Sequence, residues 1–343
     1  MKEISKICIC GGGGLGHTCS AILSSHQGIE VMMYTQHPES WEEKFIVNDL
    51  NGKQYEGHIV KFSDQAQDVV PLADLVLLCL PAYLVESTLL TIKPFLSPKT
   101  IVGSVVGNTG FFLFAHEIFA NNPPGLFAFQ RVPYISRVIE YGKKASLLGY
   151  KNELLMAVEN IPDSMEFCKT VSSLFYTPTK LVDSFYEVTL SNSNPILHTS
   201  RLYSMWGDWQ GETYHKNPLF YQEWTDDASQ ILLEMDDEFF VLLDILGVSK
   251  KYIHTVLEHY EAYDATSLTK KLRSIRAFAT IQSPMKHTPE GWLPDTTSRY
   301  FTEDFLFGLR FIYEIAHCNN VFCPMIDKVY HWGMVLLTKS KCF

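Results

Sequence analysis

The 343-residue sequence has no run of basic residues, no long hydrophobic run and no zinc-type spacing of cysteines. Acidic residues outnumber basic ones by 38 to 28, and the net charge is −10. Nucleic-acid-binding proteins carry a positive footprint, so no nucleic-acid partner is expected. The longest apolar stretch, Leu75–Val85, is too short to cross a bilayer and contains Pro81, so no membrane partner is expected either. A strand pattern follows Met1 directly, which does not fit a signal peptide.

The eight cysteines are scattered, and several fall inside predicted strands or helices. A free cysteine in such a place behaves as a small hydrophobic residue. Cys318 and Cys323 do not have the spacing of a zinc site, so no metal is expected. This usage indicates a reduced, cytoplasmic protein. The sequence leaves the oligomeric state open, with a homodimer among the options.

The first half of the chain alternates between apolar strands and helices, which predicts a doubly wound parallel sheet. We therefore expect an α/β fold with an N-terminal Rossmann domain at 1–181 and an all-helical domain at 182–343. The predicted strands are Ile4–Cys10, Glu30–Thr35, His58–Phe62, Asp74–Cys79, Thr100–Val106, Leu126–Gln130, Ala145–Gly149 and Glu153–Val158.

Beyond Val182 the apolar residues recur at helical spacing. The clearest helix is Thr225–Leu246, where Thr225 can cap the start and Gly247 can end it. Further helices are predicted at Lys250–Tyr263, Glu303–Cys318 and Met325–Leu337, the last with Pro324 at its first position. Ser283–Ser298 lacks periodicity and is predicted to be a loop, a candidate lid.

A glycine-rich turn follows the first strand, and Gly11, Gly13 and Gly16 fill a G-x-G-x-x-G pattern. These glycines permit a tight turn, close approach to a pyrophosphate and close packing of the next helix. Gly14 and Leu15 open that helix, whose free N–H groups favour phosphate. A merely flexible loop is the alternative, but a strand before the motif and a helix after it favour a dinucleotide site.

The end of the second strand bears on the choice between NAD and NADP. An acidic residue there would bind the ribose 2′-hydroxyl of NAD, but Thr35 and Gln36 occupy the expected position. The sequence therefore favours NADP over NAD. Leu80, Pro81 and Asn108 close strand ends near the expected cofactor crevice and are further candidates for cofactor contact.

Two motifs in the second half carry residues suited to proton transfer. Asn194 and His198 are four residues apart and would share one face of a helix. His198 could act as a general acid or base, although a lone histidine before Thr199 and Ser200 is more often structural. In the second motif, Arg299–Leu309, Thr302 is predicted to cap a helix that has Asp304 in its first turn, where carboxylates are also simply stabilising.

The glycine-rich turn, N-P-x-x-H and R-x-x-T-E-D-x-x-x-G-L occur in that order, and together they resemble the opine dehydrogenase family. The resemblance implies reductive condensation of an amino acid with a 2-oxo acid by NADH or NADPH, with a His–Asp pair in a cleft. It maps the family's His onto His198 and the Asp onto Asp304, with Asn194 and Arg299 as substrate-binding candidates. One departure is Thr199, where many relatives have proline.

Substrates with two carboxylates need cationic or multi-donor partners. Gln130 and Arg131, at the end of a predicted strand, are therefore further substrate-binding candidates.

Two alternatives stay open. One is a 2-oxo acid or alcohol reductase of the ketopantoate reductase or glycerol-3-phosphate dehydrogenase type, which would use a lysine; Lys180 and Lys216 lie nearby without a motif. The other is a redox sensor that binds NAD(P) without turnover.

Overall fold

The structure, a computed structural model, describes residues 4–339, so Cys342 lies outside the described part of the chain. The chain divides into two compact units, Met1–Thr189 and Leu190–Phe343. The sequence suggests a boundary between 181 and 182. In the structure the short helix Tyr186–Thr189 belongs to the first unit.

The first unit is built on an eight-stranded sheet with the order β12-β11-β8-β7-β6-β1-β2-β5. Its pairs are parallel except β8 with β11, and the helices connect the strands in doubly wound fashion, as the sequence predicts. The strands of this sheet are β1 (Lys6–Cys10), β2 (Glu30–Tyr34), β5 (Lys61–Ser63), β6 (Leu75–Leu78), β7 (Ile101–Ser104), β8 (Gly125–Phe129), β11 (Leu154–Glu159) and β12 (Thr179–Leu181). The helices of the unit are α1 (Gly14–Ser24), α2 (Ala66–Val69), α3 (Ala82–Ile92), α4 (Phe111–Ile118), α5 (Ser164–Leu174) and α6 (Tyr186–Thr189), with short 3-10 helices at Pro38–Ser40, Val70–Leu72, Lys93–Phe95 and Gly107–Thr109.

A second, four-stranded sheet in the same unit has the order β4-β3-β10-β9. Its strands are β3 (Lys44–Asp49), β4 (Gln54–His58), β9 (Tyr134–Glu140) and β10 (Lys144–Tyr150). Of these strands, β10 alone is predicted from the sequence. The reasons are that β3 and β10 pair across nearly a hundred residues and that apolar and polar residues do not alternate along β9. The predicted strand His58–Phe62 is wrong. His58 ends β4 in one sheet, whereas Lys61 begins β5 in the other.

The second unit is mainly helical. Its elements are α7 (Asn194–Trp206), α8 (Asp226–Ile245), α9 (Val256–Tyr260), α10 (Ala265–Ser274), a π-helical segment (Tyr300–Leu309), α11 (Arg310–Cys318) and α12 (Pro324–Lys339), with 3-10 helices at Lys250–Tyr252 and Arg276–Phe278. The Thr225 hydroxyl accepts the N–H of Ala228, Gly247 has a φ of +64° and Pro324 opens α12, all as predicted. None of the helices described is both long and apolar enough to cross a membrane.

Two expectations for this unit are corrected. Ser283–Ser298 is not a plain loop but contains a hairpin of β13 (Met285–Thr288) and β14 (Gly291–Pro294), so the unit is not entirely helical. Gly291, at a φ of +136°, permits the turn. The helix expected at Lys250–Tyr263 is broken, because Thr255 starts a new capped helix, α9.

Asp236 is a carboxylate on the buried face of α8, where it is 6% exposed. Its Oδ2 accepts the backbone N–H of Val256 at 2.8 Å, which anchors the start of α9. Burial raises the pKa of Asp236 from its usual 3.8 to about 6. A pKa above the unfolded value means that the native state loses stability as the pH rises from 4 through 6.

We expect Asp236→Asn to remove this loss, since asparagine keeps an acceptor for Val256 without a charge. The free energy of unfolding should exceed that of the wild type by roughly 2 kcal/mol at pH 8, given the size of the shift, and by much less at pH 4.5. Urea denaturation at both pH values measures the difference. Asp237→Asn, on the exposed side of the same helix, is the control and should change stability by only about 0.5 kcal/mol. If the stability gain of Asp236→Asn over the wild type became smaller as the pH rises, the assignment of the raised pKa to Asp236 would be contradicted.

Candidate functional site

The glycine-rich turn between β1 and α1 has the geometry of a phosphate cradle. Gly11 has a φ of +112°, and a side chain there would start 2.7 Å from the carbonyl oxygen of Cys79. A side chain at Gly16 would collide with the carbonyl oxygen of Gly11, so α1 packs tightly on the turn. At Gly13 no atom lies within 4 Å of the side-chain position, so the backbone is open to a ligand. The residues therefore fit a dinucleotide pyrophosphate.

Gly14 and Leu15 serve packing more than direct approach to a ligand. A side chain at Gly14 would start 2.9 Å from the carbonyl oxygen of Ser136, so this glycine lets β9 lie against α1. Leu15 packs against the core of the unit. Both still contribute backbone to the first turn of α1, whose N–H groups lack intrahelical acceptors.

A cleft of about 570 Å³ lies beside the turn. Leu80 and Pro81 line it, as expected, whereas Asn108 lies on a 3-10 helix and does not. The residues that line it are Cys10–Gly13, Tyr34–His37, Asp64, Cys79–Pro81, Tyr83, Leu84, Ser87, Thr88, Thr91 and Tyr141.

The far end of the cleft, beyond β2, combines expected and unexpected residues. Thr35 is buried and its hydroxyl is 2.9 Å from the Tyr141 hydroxyl, while Gln36 is exposed. Asp64 follows β5, the neighbour of β2, and the Thr35 N–H bonds the carbonyl of Ser63 just before it. Asp64 and Tyr141 were not predicted, because each reaches the cleft through strand pairing distant in sequence.

His17, directly after the glycine-rich turn, fixes the hairpin that carries Tyr141. Its Nε2 accepts the N–H of Gly142 at 2.9 Å, so in the neutral ring Nδ1 carries the proton and donates to the carbonyl of Gly13 at 3.0 Å. Burial lowers the pKa of His17, and its ring lies 4.2 Å from that of Trp41. The second sheet is thereby tied to the turn.

In the second unit, α7 begins with Asn194 and Pro195 and carries His198 one turn later. His198 and Asp304 are brought together, with 2.8 Å between Nδ1 and Oδ2, and their side chains are 13% and 15% exposed. The Tyr221 hydroxyl lies 2.9 Å from the other ring nitrogen, Nε2. Sequence reasoning missed Tyr221, which lies in a loop without a motif.

Asp304 belongs to the π-helical segment, not to the first turn of a capped helix. Thr302 is not an N-cap, since its hydroxyl donates to the carbonyl of Ser298 from within the helical turns. A side chain at Gly308 would start 2.5 Å from Cγ of Pro195, so α7 and the π-helical segment touch there. The two motifs meet through Pro195 with Gly308 and His198 with Asp304.

The remaining substrate candidates have different surroundings. Arg299 is 84% exposed and pairs with Glu303 at 3.0 Å, which raises the pKa of its guanidinium. Asn194 and Arg131 are exposed. Gln130 is buried, and its amide nitrogen donates to the carbonyl of Glu187 at 3.2 Å, so this group is already engaged.

The two lysines considered for the reductase alternative are surface residues held in ion pairs. Lys180 pairs with Glu153 at 2.6 Å, and Lys216 pairs with Glu223 at 3.0 Å. Neither has the buried setting of a catalytic lysine. Within the part of the chain that the structure describes, no three His, Cys, Asp or Glu side chains come together to hold a metal ion.

In a comparison with known protein families, residues 181–337 match the family model "NAD/NADP octopine/nopaline dehydrogenase, alpha-helical domain". Residues 7–107 match the model of ketopantoate reductase PanE/ApbA. The opine dehydrogenase of Haliotis discus hannai is 28% identical over 99% of this chain and 92% of its own.

Solved structures agree on the fold. Octopine dehydrogenase with NADH and L-arginine has a TM-score of 0.82 at 24% identity, covering 97% of this chain and 89% of that one. Yersinopine dehydrogenase with NADP+ has a TM-score of 0.72 at 12% identity, covering 99% and 92%. The reductase family model matches residues 7–107 alone, whereas the octopine/nopaline family model covers the region with His198 and Asp304. The chain therefore contains a region, residues 181–337, that matches the alpha-helical domain of the octopine/nopaline dehydrogenases.

Proposed function

We propose that this protein is an opine dehydrogenase, which joins the amine of an amino acid to a 2-oxo acid and reduces the product with a nicotinamide dinucleotide. The observation that carries the proposal is the His198–Asp304 hydrogen bond within the region that matches the family model. The named relatives bind or form molecules of this class. The buried, unpaired cysteines support our expectation of a reducing compartment.

Gly11–Gly16 would hold the dinucleotide, which when bound would supply a hydride for the carbon of the protonated imine. The chain's own contribution is the proton. An ionised Asp304 only accepts hydrogen bonds, so Nδ1 of His198 keeps its proton and Nε2 exchanges one. When the amine has added to the 2-oxo acid, protonated His198 gives its Nε2 proton to the hydroxyl oxygen of the adduct. The C–O bond then breaks, water leaves and the protonated imine forms, its positive charge being the one that His198 gave up with its proton. Asp304 balances the charge on the ring before that transfer.

Both substrates carry carboxylates, and the exposed cations are their natural partners. We assign Arg299 this role first and Arg131 second, with Asn194 as a neutral donor one turn from His198 on α7. Gln130 is the weakest of the four candidates, because its amide nitrogen bonds the Glu187 carbonyl. We assign Gln130 a structural role in the first unit rather than a role in substrate binding.

The alternatives gain less support. A ketopantoate reductase-type enzyme would need a lysine acid, and both candidate lysines are exposed and paired. A redox sensor would need only the dinucleotide cleft, not a half-buried histidine bonded at both nitrogens.

The lining of the cleft supports a preference for NADH, whereas the sequence alone favours NADPH. That preference depended on the missing acid after β2, but Asp64 reaches the same end of the cleft from β5. Among the described residues that line the cleft there is no lysine or arginine to meet a 2′-phosphate. The Thr35 hydroxyl is already bonded to Tyr141, and His37 faces Glu39 at 3.5 Å. We therefore propose that Asp64 disfavours the phosphate and that NADH is preferred.

Replacing His198 by alanine should lower kcat for amino acid plus 2-oxo acid by roughly 10²–10⁴-fold, since general acid–base groups contribute that much. Asp304→Asn should lower it too, because the ring loses the negative charge that stabilises its protonated form. Affinity for the dinucleotide, measured by fluorescence titration, should be unchanged in both. His254→Ala, an exposed histidine of the same unit, is the control. Turnover of His198→Ala at the wild-type rate would end the acid–base assignment, and turnover without an amine would point to a plain reductase.

Asp64→Asn should narrow the difference between NADH and NADPH in a binding titration. We expect the wild type to bind NADH at least about tenfold more tightly, a difference worth about 1.4 kcal/mol. The variant should gain affinity for NADPH because a repelling charge is lost. Glu117→Gln makes the same change in net charge away from the cleft and should leave the ratio alone. Tighter binding of NADPH than NADH by the wild type would refute the proposed preference.

A further inference from the structure

We propose that Tyr221 is a third member of the His198–Asp304 pair, a positioning residue whose hydroxyl fixes the orientation and tautomer of His198. The inference rests on the acid–base role proposed for His198 and adds to it a residue that neither motif contains. Its starting point is the 2.9 Å contact between the Tyr221 hydroxyl and Nε2.

The direction of that hydrogen bond follows from the chemistry of both partners. Asp304 takes the Nδ1 proton, so Nε2 of the neutral ring is an acceptor. Tyr221 is 4% exposed, and burial raises the pKa of its phenol far above the usual value, so it keeps its proton. The phenol therefore donates to Nε2. Among the residues that the structure describes, it is also the only hydrogen-bond partner of Nε2.

The two partners together select one state of the ring. With an acceptor at one nitrogen and a donor at the other, only the tautomer protonated at Nδ1 satisfies both. A ring flip or the opposite tautomer would place a bare nitrogen against the Asp304 carboxylate. His198 is thus held in the form that presents Nε2 for proton exchange.

Aromatic packing keeps the Tyr221 ring in place. Its ring is stacked on Phe278 at 4.2 Å with planes 22° apart, and on Trp224 at 5.9 Å with planes 7° apart. A ring packed in this way cannot swing aside, but its hydroxyl hydrogen can turn about the C–O bond. A hydroxyl both donates and accepts, so Tyr221 can bond His198 before and after protonation without moving.

The loop that carries Tyr221 is anchored to the helix that carries His198. Arg201, three residues after His198 on α7, is 4% exposed and donates to the carbonyls of Phe220 at 3.2 Å and Glu223 at 2.7 Å. These acceptors bracket Tyr221 in sequence. The same helix therefore fixes both partners of the contact, which suits a positioning role.

The test compares Tyr221→Phe with Tyr260→Phe. Phenylalanine keeps the stacked ring and removes only the hydroxyl, so we expect little change in melting temperature. Tyr260 is another buried tyrosine of the same unit and controls for the loss of a buried hydroxyl. In the described part of the chain, the side-chain hydrogen bonds of His198 go to Asp304 and Tyr221 and not to Tyr260. Steady-state kinetics and NADH titration are combined with ¹⁵N NMR of ring-labelled histidine, and the His198 signal is assigned with His198→Gln.

We expect Tyr221→Phe to lower kcat by about 10–100-fold, the scale of a misplaced catalytic group, with NADH affinity unchanged. The Nε2 signal of His198 should move, because the nitrogen loses its donor, and Tyr260→Phe should move neither quantity. Since Tyr221 and Asp304 act through one ring, the losses in Tyr221→Phe and Asp304→Asn should not be additive.

A kcat within twofold of wild type, or a loss of kcat with an unmoved Nε2 signal, would overturn the positioning role. The NMR result does not depend on turnover. If His198→Ala proves active while the Nε2 signal still moves in Tyr221→Phe, the proposed function fails and the hydrogen bond stands.

Discussion

Close packing of two elements at a glycine is the constraint on which both units depend. In the first unit, Gly16 lets α1 sit against the carbonyl of Gly11, which aims the start of the helix at the open backbone of Gly13. In the second unit, Gly308 lets the π-helical segment touch Pro195 on α7. A Cβ at either glycine would push the elements apart. A hydrogen bond of 2.8 Å between His198 and Asp304 leaves no room for that.

Features set by local spacing were predicted from the sequence. The three roles in the glycine-rich turn follow from residues close together in sequence. The cap at Thr225 and the start of α12 at Pro324 likewise depend only on neighbouring residues. His198 and Asp304 were found because each lies in a recognisable motif. The structure adds why Pro195 and Gly308 accompany them, namely that these two residues are the contact between the elements.

Features set by long-range pairing were not predicted. Asp64 lies at the cleft because β5 pairs with β2, and Tyr141 lies there because β9 and β10 form a second sheet with β3. The position of Tyr221 depends on the hydrogen bonds that Arg201 donates to backbone carbonyls of its loop. The sequence shows correctly that no acidic residue follows β2. The structure adds that Asp64, after the neighbouring strand β5, lines the same end of the cleft, and this bears on the choice between NADH and NADPH.

Two histidines show how similar geometry can serve different ends. His17 and His198 are each bonded at both nitrogens, which fixes one neutral tautomer. The partners of His17 are a backbone carbonyl and a backbone N–H, and the ring is fully buried. The backbone N–H of Gly142 is a donor and cannot accept a hydrogen bond. Protonation of His17 at Nε2 would therefore break its hydrogen bond with Gly142. His17 is therefore suited to holding the second sheet and not to proton transfer.

The partners of His198 are a carboxylate and a phenol, and both can bond the ring in either protonation state. The ring is also partly open to solvent.

The positive charges of the protein are distributed unevenly between the cleft and the rest of the surface. The cleft beside the glycine-rich turn offers backbone N–H groups to a phosphate and has no lysine or arginine among its described lining residues. Arg131 and Arg299 lie outside that lining and are exposed, which is compatible with our proposal that they bind the carboxylates of the substrates. Keeping fixed positive charge out of the cleft would thus both discourage a 2′-phosphate and prevent substrate acids from competing for the dinucleotide site.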